Sequence, residues 1–446
     1  MVNNETSKSY YDKEYNSSKF ERAFLWLAIG ISIIIICFYY RPGGIKDLDH
    51  IGSPLRDVEV YIDAGKAILS GNNPYDTIGN RFGFVGCIPF ALIANLLPES
   101  VLNLTFQLLN ILGLITFILI FNKLYTNFRP ELLIITSLWL SSFRETLATN
   151  QITGILLGLL STGYCFSLVN KYQSSKLKII VAAFCFVIAI DLKPHLSLIF
   201  FIILVVKSRN FQLFKYVTIV WVILHGLVNL SQRRILEFSW LDIVLDLQNQ
   251  AENTSLGDSV SFWPLLSAAF NIESFPTLLL FLPMLTLIIC LIVLSNFLTW
   301  QEVFIWSFLI PSFFIYFHHY DFVPAAVLFL ILLQSRYFKY LLIPVGFFLI
   351  PIEFDSVRNQ ALVLVIFFLW KYHLKSYISY SNLLISWSSL ILIHMFNSQI
   401  GTSPKIIQSL VVSQMILMTV ALLGYKSYSQ NDVRRIDKDK CLDEKS

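Results

Sequence analysis

Arg56-Asp57-Val58-Glu59-Val60-Tyr61-Ile62-Asp63-Ala64-Gly65-Lys66-Ala67-Ile68-Leu69-Ser70-Gly71-Asn72-Asn73-Pro74-Tyr75 is a polar, acidic island in an apolar chain. It follows the first hydrophobic run, about 22–40, and most of what comes after it is hydrophobic again. Ser53-Pro54 suits a helix start, because serine accepts a free N–H and proline's fixed φ fits the first helical position. Gly71 suits the stop, and Asn72-Asn73-Pro74 signals a turn. The spacing predicts a short helix over 55–70, lying at a membrane surface. Asp57, Tyr61 and Ile68 fall along one side of it. Val60, Ala64, Ala67 and Ile68 give an apolar side that rests on the bilayer or on other spans.

The rest of the chain supplies the membrane. Of 446 residues, 56% are hydrophobic and only 14% are charged, with a mean hydropathy of +0.65. That excludes a soluble globular domain of this size and predicts an all-α, polytopic integral membrane protein. Apolar runs recur along the chain, several of them short, with 131–147 read as one span, and imply about 11–14 transmembrane helices. Residues 1–21 read as a polar, disordered head and 425–446 as a polar tail. Residues 22–424 form one apolar body with two long polar loops, 41–83 and 231–275. Phe84 to Leu97 is apolar but holds Pro89 and is about 14 residues long, so it reads as a re-entrant or interfacial segment.

Basic residues orient the spans. If the head is cytoplasmic and 84–97 does not cross, 22 of the 33 Lys and Arg fall on the cytoplasmic side. If 84–97 crossed, the basic loops at 171–178 and 207–215 would face outward. The first arrangement is preferred. It places both termini in the cytoplasm and every polar cluster on the outer face: Asp57 and Asp63; Arg144-Glu145 with Asn150-Gln151; Asp191-Leu192-Lys193-Pro194-His195; 249–258; and His318-His319-Tyr320-Asp321. Usage of Phe, Ile, Asn and Lys suggests an AT-rich bacterial genome, and so a bacterial cell membrane.

Several classes find no support. The six cysteines are scattered without a Cys-x-x-Cys pair, so neither a zinc site nor a disulfide framework is expected. There is no glycine-rich phosphate loop, no dinucleotide fingerprint and no nucleic-acid module. No cofactor is expected, no residues are assigned as metal ligands, and metal dependence is left open.

Each polar cluster has more than one reading. Asp191-Leu192-Lys193-Pro194 interrupts a long apolar run; it is either a turn between two short spans or a place where lysine binds a lipid phosphate. Thr149 or Asn150 suits the N-cap of the helix that follows. Arg144 is a candidate phosphate contact, or an arginine that snorkels to the interface. His318 and His319 point to different helix faces, so they do not form a metal pair; one suits a phosphate or sugar contact, and both suit an interfacial belt. Trp221, His225 and Asn229 share a helix face and line either a cavity or a packing seam. Asn253-Thr254-Ser255 is also a glycosylation sequon.

The opening stretch, with an Asp, then Val-Tyr, then Ala-rich sequence and Gly71-x-x-Pro74-Tyr75, resembles the first periplasmic loop of the polyprenyl-phosphate-mannose-dependent α-mannosyltransferases, glycosyltransferase family 87 of the GT-C superfamily. The resemblance runs from about Asp57 to Asp321, and only the opening motif is specific. Gln151 matches a Gly-Gln-Val-Asn segment in which Asn150 replaces the glycine. Lys193-Pro194, Asn253-Thr254-Ser255-Leu256 and the paired His318-His319 match further segments, with Thr254 in place of a Gln. The resemblance implies a GT-C-like helical bundle with periplasmic loop helices and a polyprenyl-phosphate sugar as donor. It implies an inverting transfer of a hexose, mannose in that family, to a glycolipid or glycan acceptor. Asp57 would be the base. Lys193, Arg144, His318, His319 and Gln151 would hold the donor, and Tyr61, Asp63, Asn253 and Tyr75 would position loop or acceptor. Membrane lipids are the remaining expected partners. A flippase or transporter of lipid-linked sugars, or a surface-polysaccharide polymerase or ligase, would share many of these features. No internal inverted repeat supports the transporter.

Overall fold

The computed structural model describes residues 19–39, 57–76, 83–125, 130–168, 176–237, 277–295, 298, 300–314 and 319–332. All regular structure there is helical. In chain order the α-helices are α1 (Lys19–Tyr39), α2 (Asp57–Leu69), α3 (Phe84–Leu96), α4 (Glu99–Tyr125), α5 (Pro130–Leu138), α6 (Ser141–Ala148), α7 (Thr153–Leu168), α8 (Lys176–Leu192), α9 (Pro194–Ser208), α10 (Phe211–Gln232), α11 (Thr277–Leu294), α12 (Trp300–Phe314) and α13 (Val323–Leu332). Single 3-10 turns lie at Pro74–Asp76 and His319–Phe322.

The outer surface of these helices is apolar. Phe24, Leu27, Ile31 and Ile34 of α1 are exposed, as are Leu104, Leu108 and Leu112 of α4 and Val222, Ile223 and Leu227 of α10. Water would not tolerate such continuous stripes, whereas lipid does. Val101–Lys123 and Phe211–Gln232 are long and apolar enough to cross a membrane. The first, at 23 residues, extends about 34 Å against a hydrocarbon core of about 30 Å. The described part is thus the helical, multi-span protein that composition requires.

Glycine sets the closest packing. A Cβ on Gly113 of α4 would lie 2.0 Å from the Gly154 carbonyl oxygen of α7, and one on Gly158 would lie 2.8 Å from the Gly113 Cα. Gly154 and Gly158 form the small-xxx-small spacing that lets helix backbones touch. The same seam caps α7. Asn110 Oδ1 of α4 accepts the backbone N–H groups of Gly154 (2.9 Å) and Ile155 (3.2 Å). The cap is therefore lent by another helix, and the expectation of Thr149 or Asn150 as N-cap is corrected. Thr149 instead bonds back into α6, where its hydroxyl donates to the Glu145 carbonyl at 2.8 Å.

The α8–α9 pair is a hairpin. Phe186 and Phe201 lie on opposite sides of the Lys193 break, yet their ring centroids are 5.1 Å apart, which two collinear helices could not achieve. Pro194 opens α9 at its first turn, where its missing N–H costs nothing. The basic residues Lys176, Lys178, Lys207 and Arg209 gather at the open end, and Asp191 and Lys193 stand at the tip.

Two further expectations change. The run 131–147, read as one span, is two short helices of 9 and 8 residues, α5 and α6, because Leu140 adopts an extended conformation between them. The inward side of α2 is Val58, Tyr61, Ile62, Ala64, Gly65 and Ile68, whereas Val60 and Ala67 are only half-buried. Gly65 sets that rotation, since a Cβ there would sit 2.4 Å from the Cys87 carbonyl oxygen of α3. The expected end of α2 is borne out. Gly71 has φ +79°, and the bonds Gly71 N–H to Ile68 (3.1 Å) and Asn72 N–H to Ala67 (2.8 Å) close a Schellman motif. α3 spans 13 residues, about 20 Å, which is too short to cross.

Gly154→Val should force α4 and α7 apart and cost about 1–3 kcal/mol or more. Gly226→Ala, where nothing lies within 4 Å, should be neutral or stabilising. Thermal unfolding in detergent measures both, and an unchanged midpoint for Gly154→Val would contradict the seam.

Candidate functional site

Three distant segments meet on the turn between α6 and α7. Asp57 opens α2, where free helical N–H groups favour an anion. Its backbone N–H donates to the Thr149 carbonyl at 3.3 Å, and its side chain accepts from the Gln151 amide. Two residues on, Thr153 Oγ1 accepts from Lys193 Nζ at 3.3 Å. Lys193 also pairs with Asp321 at 2.5 Å, and His195 Nε2 stands 3.7 Å from the other Asp321 oxygen. A half-buried carboxylate and a buried ammonium thus flank one short turn.

The turn is built for this. Asn150 has φ +56°, a left-handed conformation that glycine takes freely and asparagine better than other L-residues. Bonds from Asn150 N–H to Leu147 (3.3 Å) and Gln151 N–H to Thr146 (2.8 Å) end α6 in a Schellman motif. That explains how asparagine stands where the resembled segment carries glycine. Asn150 further donates to Asn103 Oδ1 at 3.2 Å.

Arg144 lies on α6, which packs against the His319–Phe322 turn that carries Asp321. It is 2% exposed, which rules out the snorkelling reading. Tyr61 is buried and stacks on Phe90 with centroids 5.2 Å apart. Burial, and behind it the charges of Cys87, Asp57 and Asp321, pushes its phenol well above the usual range. Tyr75 is also buried, and burial, followed by Asp191, pushes it up. Asp63 is exposed on the side of α2 away from Tyr61; partial loss of hydration beside its neighbours, then the Glu59 charge, raise its carboxyl, against Lys66. It is not gathered with Asp57. His318 and Asn253 lie outside the described residues. His319 belongs to the 3-10 turn.

A second cluster begins two residues before Lys193. Asp191 Oδ2 accepts the Gly86 N–H at 3.0 Å, and its carbonyl accepts the Gly83 N–H at 2.7 Å. The carboxylate therefore caps α3 from outside. A Cβ on Gly83 would meet the Asp191 carboxyl carbon at 2.5 Å, so glycine is required for the approach. His225 Nε2 lies 3.1 Å from Asp191 and Nδ1 lies 3.0 Å from Glu237, which also accepts from Asn229 at 2.7 Å. Trp221 stacks on His225 at 4.1 Å. The expected Trp221, His225 and Asn229 face is real, and it serves this network. Because His225 spends both ring nitrogens on carboxylates, it links them in a line. Among the described residues no group of three or more His, Cys, Asp or Glu is arranged to hold a metal ion.

Of the residues singled out in the sequence, Asp57, Gln151, Arg144 and Lys193 come together or into adjoining packing. Asp321, Asp191 and His195 stand within the polar clusters of the sequence, with no role assigned to them there. The usable signal was a charge inside an apolar run. Thr153 and Glu237 carried no such signal.

A comparison of folds finds similarity to the crystal structure of ArnT from Cupriavidus metallidurans bound to undecaprenyl phosphate, at 13% identity and a TM-score of 0.38, covering 92% of this chain and 78% of that one. A likeness of that degree carries no argument about function. No protein-family model matches the chain, and no curated protein matches its sequence. Fold and site together define an all-α membrane protein with a buried acid, amide and ammonium cluster at the tip of a helical hairpin.

His225→Ala should leave two carboxylates facing each other without their cation and cost about 3 kcal/mol or more. Asp63→Asn, at an exposed position, should stay within about 0.5 kcal/mol of wild type. Equal unfolding midpoints for the two variants would contradict the network.

Proposed function

We propose that the chain is an inverting membrane glycosyltransferase of the GT-C class that moves a hexose from a polyprenyl-phosphate donor to a hydroxyl of a glycolipid or glycan acceptor. The observation that carries this is the convergence of Asp57 and Lys193 on residues 151 and 153 of one turn. Residues two apart hold their Cα atoms within about 7 Å, so a base and a phosphate-binding cation can address one substrate.

In this reading Asp57 takes the acceptor proton while the acceptor oxygen bonds to the anomeric carbon. The bond from that carbon to the phosphate oxygen breaks, and polyprenyl phosphate leaves with the electron pair. Lys193, Arg144 and one of His318 and His319 are assigned to offset the charge that grows on it. Gln151 orients Asp57 and can follow the sugar. Tyr61 and Tyr75 fix α2 and the turn after it, and Asp63 and Asn253 belong to acceptor or loop positioning. A single displacement inverts the anomer, so a β-linked donor gives an α-linkage. Mannose is the sugar implied by the resemblance. The membrane is that of a bacterial cell, with both termini cytoplasmic and the site on the outer face. The α8–α9 hairpin supports this, because its basic residues lie at the end opposite Lys193.

Asp57→Asn should lower transfer by about 10²–10⁴-fold while leaving the unfolding midpoint near wild type. The assay is sugar transfer from synthetic polyprenyl-phosphate mannose, then from other hexoses, by the purified protein. Lys193→Ala should raise the donor KM more than it lowers kcat. Near-normal transfer by Asp57→Asn would overturn the base assignment.

A further inference from the structure

Lys193 and Asp321 come from distant parts of the chain and meet in the interior, 3% and 2% exposed. The other side-chain partner at Lys193 Nζ described above, Thr153, is neutral. An ammonium removed from water needs a counter-charge, and leaving one unpaired costs several kcal/mol. A lysine that serves a phosphate meets this problem whenever the phosphate is absent. Asp321 supplies the missing charge, and its setting suits exchange. It sits in a four-residue 3-10 turn rather than inside a long helix. Its second oxygen stands 3.7 Å from His195 Nε2, a partly exposed ring on the first turn of α9. One carboxylate is therefore bracketed by two nitrogen bases, and it can keep the second when the first turns away.

We infer that Asp321 is a resident counter-anion of the donor site: it neutralises Lys193 when the site is empty and shifts toward His195 when the donor phosphate takes Lys193. This rests on the donor reading of Lys193 given above. Asp321 does not touch the reacting atoms; it is a positioning residue that sets how readily the site opens to an anion. Donor affinity then equals the intrinsic affinity reduced by the fraction of molecules in which Lys193 is released.

The test is binding of a sugar-free, short-chain polyprenyl phosphate to the full-length protein in lipid nanodiscs, with thermal unfolding alongside. Asp321→Asn should unfold earlier than wild type when empty, bind about tenfold tighter or more, and gain a larger thermal shift on binding. Lys193→Gln should remove binding in either background. In Asp321→Ala, added acetate should restore stability and compete with the polyprenyl phosphate, and acetate should do neither in wild type. A folded Asp321→Asn that binds equally or more weakly would overturn the inference and leave the donor reading standing. So would failure of both Asp321 variants to fold even with acetate, which would make the pair part of the framework. No binding by wild type, Asp321→Asn or acetate-free Asp321→Ala would overturn the donor reading together with the inference.

Discussion

An ammonium group shut away from water at the tip of a helical hairpin governs this structure. Lys193 stands where α8 turns back into α9, and only 3% of it is exposed. Its charge has to be met by a carboxylate within contact distance, and Asp321 meets it at 2.5 Å. That demand holds the His319–Phe322 turn against α6. The attraction repays the desolvation only if the remaining valences are also satisfied, which is the role of Thr153. The neighbouring Asp191 obeys the same rule with α3, His225 and Glu237. Two buried charge networks thus start two residues apart and radiate to different helices.

Close approach of backbones makes this possible. Gly113, Gly154 and Gly158 bring α4 against α7, and the resulting seam carries Asn110 to the α7 cap. Gly65 seats α2 on α3, which sets the rotation that turns Asp57 and Tyr61 inward and leaves Asp63 outside. Gly83 and Gly86 admit the Asp191 carboxylate to the α3 N-terminus. In lipid, helices gain little from burying apolar surface against one another, so such small-residue contacts and interhelical hydrogen bonds do most of the holding.

Much of this was legible in the residues, for identifiable reasons. The fold class followed from hydropathy, which lipid enforces along every span. The α2 stop at Gly71, the α8–α9 break at Lys193-Pro194 and the shared face of Trp221, His225 and Asn229 are local features, and local rules found them. What was not legible depended on partners far along the chain. The split of 131–147 into α5 and α6 lies inside an apolar run with no proline or glycine at the break. The α7 cap comes from Asn110, 44 positions away from Gly154. Asp321 could be seen as a polar intruder, but its pairing across 128 positions could not. Periodicity placed the apolar side of α2 one step off, because only the contact at Gly65 decides the rotation.

Cleavage of a lipid-linked sugar is the step on which the proposed roles of Asp57 and Lys193 depend. The most direct measurement is the fate of a β-linked polyprenyl-phosphate hexose given to the wild-type protein in proteoliposomes, with NMR of the sugar's anomeric centre. Free polyprenyl phosphate and an α-linked product on the acceptor are expected. Donor that stays intact, or that crosses the bilayer with its sugar still attached, would contradict it.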